Sequence, residues 1–125
     1  MKSFIEKHSD KEKIELIHEE ELLGTGATLA KILPYIDGEN LFVAHADNLS
    51  IFDAEDFFSF HQKNETRCPI TLLSFKTDNP KSCGILKLNS EGLLLDFVEK
   101  VNNPPGNLAN GAVYIINRKC FKEIE

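Results

Sequence analysis

The chain has 125 residues, of which 42% are hydrophobic and 27% are charged, and its formal net charge is −6 at pH 7. This length and composition predict a single globular domain spanning residues 1–125, and the acidic balance argues against a nucleic-acid partner. No apolar run approaches the ~20 residues that span a bilayer. Because the charged first residues also lack the apolar centre of a signal peptide, we expect a cytoplasmic protein with no membrane partner.

The first third of the chain is predicted to contain two helices around one strand. Residues 1–8 have the spacing of a short helix, and residues 13–18, KIELIH, alternate apolar and polar side chains as a strand does. In residues 19–28, EEELLGTGAT, two glycines precede an apolar helical pattern that Pro34 ends. Such a loop brings backbone N–H groups close to an anion or a nucleobase. A plain glycine turn before a helix has the same pattern.

Residues 41–48, LFVAHADN, form an apolar run that ends in two polar residues. The run is typical of a strand buried on both faces of a parallel sheet, and ligands of α/β sheets lie beyond the carboxyl ends of such strands. Asp47 and Asn48 would stand at that edge, where a carboxylate can hold Mg²⁺ beside phosphate oxygens. Asp-Asn also opens ordinary loops, so the stretch by itself leaves both interpretations open.

The next element is predicted as a capped helix. Asp53 has the position of an N-cap, and the helix reaches about Glu65. Phe52 and Phe57 have the spacing of a hydrophobic staple across its first turn. The aromatic residues of this helix are expected in the core, with His61 at the edge of the apolar face.

The second half of the chain is predicted to be mainly strands. Residues 69–77, PITLLSFKT, indicate another buried strand, and the turn signal NSEG at residues 89–92 predicts a hairpin between the apolar runs beside it. After NNPPG, whose prolines forbid regular pairing, residues 110–116 are predicted as a last strand and residues 118–125 as the start of a helix. The order of elements is that of an α/β protein with an inserted hairpin.

Four separated segments, in order, resemble the sugar-1-phosphate nucleotidyltransferases, closest in style to mannose and heptose guanylyltransferases. The segments are ExELLGTGATL (Glu19 to Leu29), HADN (His45 to Asn48), CGIL…DFVEK (Cys83 to Lys100) and NGAVY (Asn110 to Tyr114). The resemblance implies a doubly wound, Rossmann-like mixed α/β sheet. It also implies transfer of a nucleotidyl group from a nucleoside triphosphate to a sugar 1-phosphate, with release of pyrophosphate.

The nucleotide side of the implied site lies early in the chain. The resemblance assigns Gly24 and Thr25 to the nucleobase pocket and Glu19 to the edge of the base. A carboxylate suits a base with two adjacent N–H donors, as guanine has, so the expected transfer is guanylyl.

The sugar-phosphate side follows from the other three segments. The resemblance implies that Asp47 and Lys100 are catalytic, Asp47 as the ligand of Mg²⁺ and Lys100 as the partner of the sugar phosphate. A solvated charge pair at a strand end is the alternative interpretation of Glu99 and Lys100. The sugar-phosphate contacts implied are Asn48, Gly84, Glu99, Lys100 and Asn110.

Two parts of the family pattern have no counterpart in these residues: the first strand with its glycine-rich triphosphate loop, and a second acidic metal ligand. We therefore expect a partial domain that turns over slowly or not at all by itself. The strand at residues 41–48 would then have an open edge, which invites a second copy or a partner chain. The alternative function is a non-catalytic nucleotide-sugar-binding or regulatory module, or a degenerate remnant.

Overall fold

The computed structural model describes residues 2–123, in which three helices and five strands are found. The helices are α1 (Lys2–Ile5), α2 (Thr25–Ile32) and α3 (Ala54–Asn64). The strands are β1 (Asn40–Ala44), β2 (Ile70–Lys76), β3 (Gly84–Leu88), β4 (Leu94–Glu99) and β5 (Leu108–Asn117). Short 3-10 segments lie at Lys11–Lys13, Leu33–Tyr35, Pro80–Ser82 and Arg118–Glu123. The last of these occupies most of the predicted C-terminal helix, whose residues 124 and 125 lie outside the described residues.

The chain divides into two compact units, Met1–Asp37 and Gly38–Glu125. The first contains α1 and α2, and the second contains α3 and all five strands. The single domain predicted for residues 1–125 stays a prediction. Among residues 2–123, no helix combines the length and the apolar character needed to cross a membrane.

In the first unit the predicted loop and helix are confirmed, and the predicted strand is wrong. Gly24 has a φ of 81° immediately before α2, and Pro34 lies in the 3-10 segment that follows that helix. Residues 14–18 adopt no regular structure. Alternation of apolar and polar residues produces a strand only where a neighbouring strand supplies hydrogen bonds, and no described strand pairs with this segment.

Strand β5 is the centre of the sheet in the second unit. Both β1 and β2 pair with it in antiparallel fashion, β3 joins it through the pair Ile85 and Ala109, and β4 pairs with β3. Because β2 pairs with both halves of β5, β1 and β3 share the opposite side of that strand. The apolar core of this unit includes Leu41, Ile85, Leu86, Ala109, Val113, Ile115 and Ile116.

Strand β1 corrects the expectation of a parallel strand buried on both faces. It is antiparallel to β5, with Leu41 opposite Ile116 and Phe42 opposite Ile115. Leu41 is buried, whereas Phe42 is 60% exposed. The composition of an apolar run does not reveal the direction of its partner, and this partner lies about 70 residues further along the chain. The strand itself and the polar turn after it are confirmed.

Helix α3 begins as the capping pattern predicts. The Asp53 carboxylate accepts a hydrogen bond of 2.9 Å from the Asp56 backbone N–H. The rings of Phe52 and Phe57 meet edge to face with their centroids 5.6 Å apart, which confirms the staple. Phe58 is 44% exposed, so the expectation that all the aromatic residues of this helix lie in the core is wrong.

His61 lies inside a buried polar cluster rather than at the edge of the helix face. Its side chain is completely buried, with Nδ1 2.9 Å from Thr71 Oγ1 on β2 and Nε2 3.2 Å from Asn40 Oδ1 on β1. Since both ring nitrogens have partners, the imidazole is buried without an unpaired polar atom. The cluster links α3 to two strands of the sheet.

The predicted hairpin is confirmed. The Asn89 side-chain oxygen accepts hydrogen bonds from the N–H groups of Glu91 and Leu93, and Gly92 takes the positive φ of 79° that the turn needs. The hairpin thereby aligns β3 with β4 and determines which of their residues face each other.

Candidate functional site

The NGA segment of β5, residues 110–112, interrupts the regular sheet and forms the centre of the candidate site. The register between β2 and β5 shifts here, between Leu72 and Ser74, and Ala112 has a φ of 54°. A Cβ atom on Gly111 would lie 3.0 Å from the Leu73 carbonyl oxygen. Glycine is therefore favoured at position 111, because a Cβ there would press on the neighbouring backbone.

The amide of Asn110 is oriented by two hydrogen bonds within β5. Its Oδ1 accepts from the Ala112 N–H at 3.0 Å, and its Nδ2 donates to the Tyr114 hydroxyl at 2.7 Å. These bonds leave one N–H of the amide and one lone pair of Oδ1 for a ligand. Tyr114 also faces the His45 ring, with centroids 6.4 Å apart.

The turn that carries Asp47 and Asn48 leaves the sheet beside this interruption. The His45 N–H donates to the Ala112 carbonyl at 3.2 Å, and the Asn48 N–H donates back to the His45 carbonyl at 3.3 Å. Both Asp47 and Asn48 are exposed. The predicted metal ligand thus lies on a turn open to solvent, next to the segment that holds Asn110.

Gly84, Glu99 and Asn110 come together at one end of strands β3, β4 and β5. Gly84 is opposite Glu99 in the hairpin. Ile85 is opposite Ala109, so one step along the antiparallel register brings Gly84 level with Asn110. Three residues implied by the sequence resemblance are therefore neighbours on adjacent strands.

Lys100 follows β4 directly and has a left-handed backbone with a φ of 49°. Its N–H donates to the Cys83 carbonyl at 3.5 Å, which keeps it beside the start of β3. Glu99 and Lys100 are both exposed. A left-handed conformation costs a non-glycine residue of order 1 kcal/mol and is often found at functional sites.

Gly84 also has a packing role that the sequence did not reveal. Atoms of the Phe97 ring lie where a Cβ of residue 84 would stand. A larger residue at this position would displace that ring. The resemblance implies that Gly84 lets a sugar approach the backbone closely. That role stays a prediction, in addition to the packing role.

On the nucleotide side, the first unit places Glu19 against helix α2. The Thr28 hydroxyl donates a hydrogen bond of 3.1 Å to Glu19 Oε2. The other carboxylate oxygen, Oε1, is buried and has no hydrogen-bond partner within residues 2–123. Lys31, one turn further along the helix, donates to the His18 carbonyl at 3.4 Å and so holds the adjoining backbone.

Gly24 and Thr25 are exposed at the start of the same helix. The space beside Gly24 is open, since no described atom lies within 4 Å of where its Cβ would be. An open glycine before a helix lets a planar ligand approach the backbone N–H groups of the first turn.

Sequence reasoning missed three residues of these surroundings, namely Thr28, His45 and Tyr114. Thr28 had a usable signal, because a hydroxyl in the second turn after a glycine loop can reach back to that loop. His45 and Tyr114 had none, since they meet only through the pairing of β1 with β5.

Comparison with known proteins identifies similar sequences. The family model for nucleotidyl transferases matches residues 1–125. The mannose-1-phosphate guanylyltransferase of Mycobacterium tuberculosis is 29% identical over 112 residues, which cover 90% of this chain and 31% of that protein. The catalytic subunit beta of mannose-1-phosphate guanylyltransferase from Dictyostelium discoideum is 33% identical over 115 residues, which cover 90% of this chain and 32% of that subunit. The chain thus spans about a third of the length of these relatives.

Solved structures show the same fold. The crystal structure of HddC from Yersinia pseudotuberculosis complexed with GMP-PN matches with a TM-score of 0.76 at 22% identity. The match covers 94% of this chain and 50% of that one. The backbone arrangement of the described strands and helices is therefore shared with a chain about twice the matched length.

Proposed function

The chain belongs to the nucleotidyl transferase family, and from this premise we propose that it serves the transfer of a guanylyl group from GTP to a sugar 1-phosphate. In this reaction a phosphate oxygen of the sugar phosphate attacks the α-phosphorus of GTP, and pyrophosphate leaves. The supporting observation is that Gly84, Glu99 and Asn110 lie level on adjacent strands, beside the turn that carries Asp47. The family and the α/β fold implied by the sequence motifs are confirmed.

In this proposal the end of the β3–β4 hairpin binds the sugar. The Glu99 carboxylate accepts hydrogen bonds from sugar hydroxyls, and Asn110 offers the N–H and the lone pair that its internal hydrogen bonds leave over. Lys100, exposed at the same end, neutralises the phosphate of the sugar. Attack on the α-phosphorus needs two polyanions in contact, so positioning and charge neutralisation carry most of the catalysis.

The Asp47 turn fits a magnesium ion that is shared with substrate. Asp47 is exposed, and no described hydrogen bond or ion pair engages its carboxylate. Within residues 2–123 no group of three His, Cys, Asp or Glu side chains forms a metal cluster. Mg²⁺ commonly uses one or two carboxylates together with phosphate oxygens and water, so Asp47, with Asn48 beside it, would hold it at this turn. When bound, the ion would offset the negative charge of the phosphates.

The base would lie in the first unit. Glu19 would accept the N1–H and the 2-amino group of guanine, and Gly24 and Thr25 would line the pocket. The two relatives described above are named guanylyltransferases, which supports guanine as the base. These relatives are about three times as long as this chain. Guanylyl transfer by this chain is therefore our proposal.

The first experiment measures GTP and mannose 1-phosphate binding by calorimetry, with and without Mg²⁺, together with pyrophosphate release. We expect GTP binding to need Mg²⁺ and to weaken by about tenfold or more in Asp47→Asn, because one carboxylate ligand is lost. Asp37→Asn, at an exposed aspartate of another loop, serves as the matched control. Binding of GTP or GDP-mannose that is independent of Mg²⁺ would instead support the non-catalytic binding module.

We further propose that β1 pairs with a second copy of the chain. Arg118 N–H donates to the Glu39 carbonyl and His45 N–H to the Ala112 carbonyl, so by alternation the backbone groups of Asn40, Phe42 and Ala44 point away from β5. The strand has no charge, proline or bulge of the kind that protects edges. Two antiparallel copies related by a twofold axis at Phe42 would place each of these residues opposite an outward-facing partner.

Light scattering over a concentration series tests the pairing. We expect association of the chain that Phe42→Lys weakens, because a lysine on an edge strand opposes strand addition. Phe60→Lys is the control, since Phe60 on α3 has nearly the same exposure, 59%. A monomer at high concentration, or equal effects of the two variants, would contradict the pairing.

A further inference from the structure

We infer that Thr28 is a positioning residue that orients the Glu19 carboxylate for guanine, and this inference rests on the proposed function. Three observations combine: the hydroxyl-to-carboxylate bond of 3.1 Å, the buried, unpartnered Oε1 of Glu19, and the placement of Thr28 on a regular helix turn. Thr28 lies within the segment Glu19 to Leu29 that carries the family resemblance, but the resemblance assigns it no role.

The hydrogen bond has a fixed direction. An ionised carboxylate only accepts hydrogen bonds, so the Thr28 hydroxyl donates its proton to Glu19 Oε2. The hydroxyl is held from the helix side, because the Thr28 N–H donates to the Gly24 carbonyl at 3.0 Å within the first turns of α2. A β-branched side chain has few rotamers in a helix. The carboxylate plane of a long and otherwise free glutamate is thereby tied to a rigid element.

The second carboxylate oxygen of Glu19, Oε1, indicates the kind of ligand that this carboxylate binds. A buried polar atom without a partner is unfavourable, and such atoms are rare in folded proteins. Among the side chains of residues 2–121, Glu19 Oε1 is the polar atom that is buried without a hydrogen-bond partner. Because Oε1 is enclosed, a ligand that brings its own N–H donors would reach it only when the covering atoms move aside, and pairing would then remove the cost of the unpartnered acceptor.

The donor count points to guanine. Of roughly four acceptor positions on a carboxylate, Thr28 uses one on Oε2, which leaves both positions on Oε1 and one on Oε2. The N1–H and 2-amino groups of guanine are adjacent donors that can occupy both oxygens, whereas hypoxanthine has only N1–H and adenine lacks this pair. Selection is strong where a base that lacks a donor leaves a buried acceptor unpaired.

The test compares GDP and IDP binding in the full chain by calorimetry for wild type, Thr28→Val and Thr28→Ser. We expect wild type to prefer GDP over IDP by about tenfold or more, and Thr28→Ser to keep that ratio because it keeps the hydroxyl. Thr28→Val has the same shape without the hydroxyl, so its ratio should fall to about twofold or less. A merely structural role would lower both affinities together and leave the ratio unchanged.

The ratio of GDP affinity to IDP affinity is measured within each variant. A partly unfolded fraction lowers both apparent affinities equally, so it does not change this ratio. If Thr28→Val does not fold, Thr28→Ala removes the same hydroxyl in a residue with higher helix propensity. A wild-type ratio in Thr28→Val or Thr28→Ala would overturn the inference while leaving guanylyl transfer standing. Absence of GDP binding, or equal binding of GDP and IDP, in the wild type would overturn both, and that outcome is visible before any variant is made.

Discussion

The two candidate binding regions, one in each compact unit, are held in place by different means. In the unit Gly38–Glu125, the positions of Gly84, Glu99 and Asn110 follow from strand register, which many backbone hydrogen bonds maintain. In the unit Met1–Asp37, Glu19 lies in a segment without a strand, and one hydroxyl orients its carboxylate. A side-chain substitution in the sheet should therefore remove one contact and leave its neighbours in place. A substitution in the first unit should change the orientation of the key acceptor itself.

This difference predicts that the two parts can be perturbed separately. Variants at the strand ends should change sugar-phosphate affinity and leave GDP affinity unchanged, and variants of Thr28 should do the reverse. Loss of both affinities from one substitution would show that the parts are coupled more tightly than their local hydrogen bonds indicate.

The largest effect is expected from Lys100→Met. This variant removes the ammonium proposed to face the sugar phosphate, so the Kd for mannose 1-phosphate should rise by about a hundredfold while GDP binding is unchanged. The effect should shrink as salt is added, because exposed charge interactions are screened. Calorimetry at two ionic strengths measures both expectations. Lys87→Met is the matched control, on β3 and also exposed, and an equal effect of both variants would contradict a specific role for Lys100.

Gly84→Ala separates the packing role of this glycine from its implied ligand role. The added Cβ would meet the tip of the Phe97 ring, which is 44% exposed and must turn aside, so the free energy of unfolding in urea should fall by about 1 kcal/mol. Gly106→Ala is the control because its Cβ would enter open space. If packing is the cause, Phe97→Leu should recover stability in the Gly84→Ala background. Weaker mannose 1-phosphate binding with unchanged stability would instead support close approach of the sugar.

Local signals in the sequence predicted the elements that depend on them. The Asp53 cap and the turn at residues 89–92 are determined within a few residues, and both were predicted correctly. The direction of β1 was predicted wrongly because its partner β5 lies far along the chain. The burial of His61 was missed for the same reason, since its partners Asn40 and Thr71 come from two separate strands.

The candidate site shows the same division. The motif resemblance singled out Gly84, Glu99 and Asn110, but spacing alone did not indicate that they would be neighbours. Their proximity requires the hairpin register and the contact between Ile85 and Ala109. Thr28 was missed although its place after the glycine loop was a usable signal, because the apolar and glycine pattern was used to predict the helix and not the partners of its hydroxyl groups.

The smallest effect is expected from Tyr114→Phe, which tests whether Asn110 depends on a side-chain partner as Glu19 does. The variant removes the hydroxyl that accepts the Asn110 Nδ2 hydrogen bond, but the bond from the Ala112 N–H to Oδ1 remains. We expect a loss of about 1 kcal/mol in the free energy of unfolding and mannose 1-phosphate binding weaker by about threefold. Tyr35→Phe, at an exposed tyrosine of the first unit, is the control.

A double-mutant cycle with Asn110→Ala decides how the weakened binding arises. If Tyr114 acts by orienting Asn110, the two substitutions together should weaken mannose 1-phosphate binding no more than Asn110→Ala does alone, because the oriented group is already gone. Fully additive effects would mean that Tyr114 contacts the ligand independently or acts through stability. In that case the amide would be held by the backbone of β5 alone. Asn110 would then be positioned by strand register alone, whereas Glu19 is positioned by the hydroxyl of Thr28.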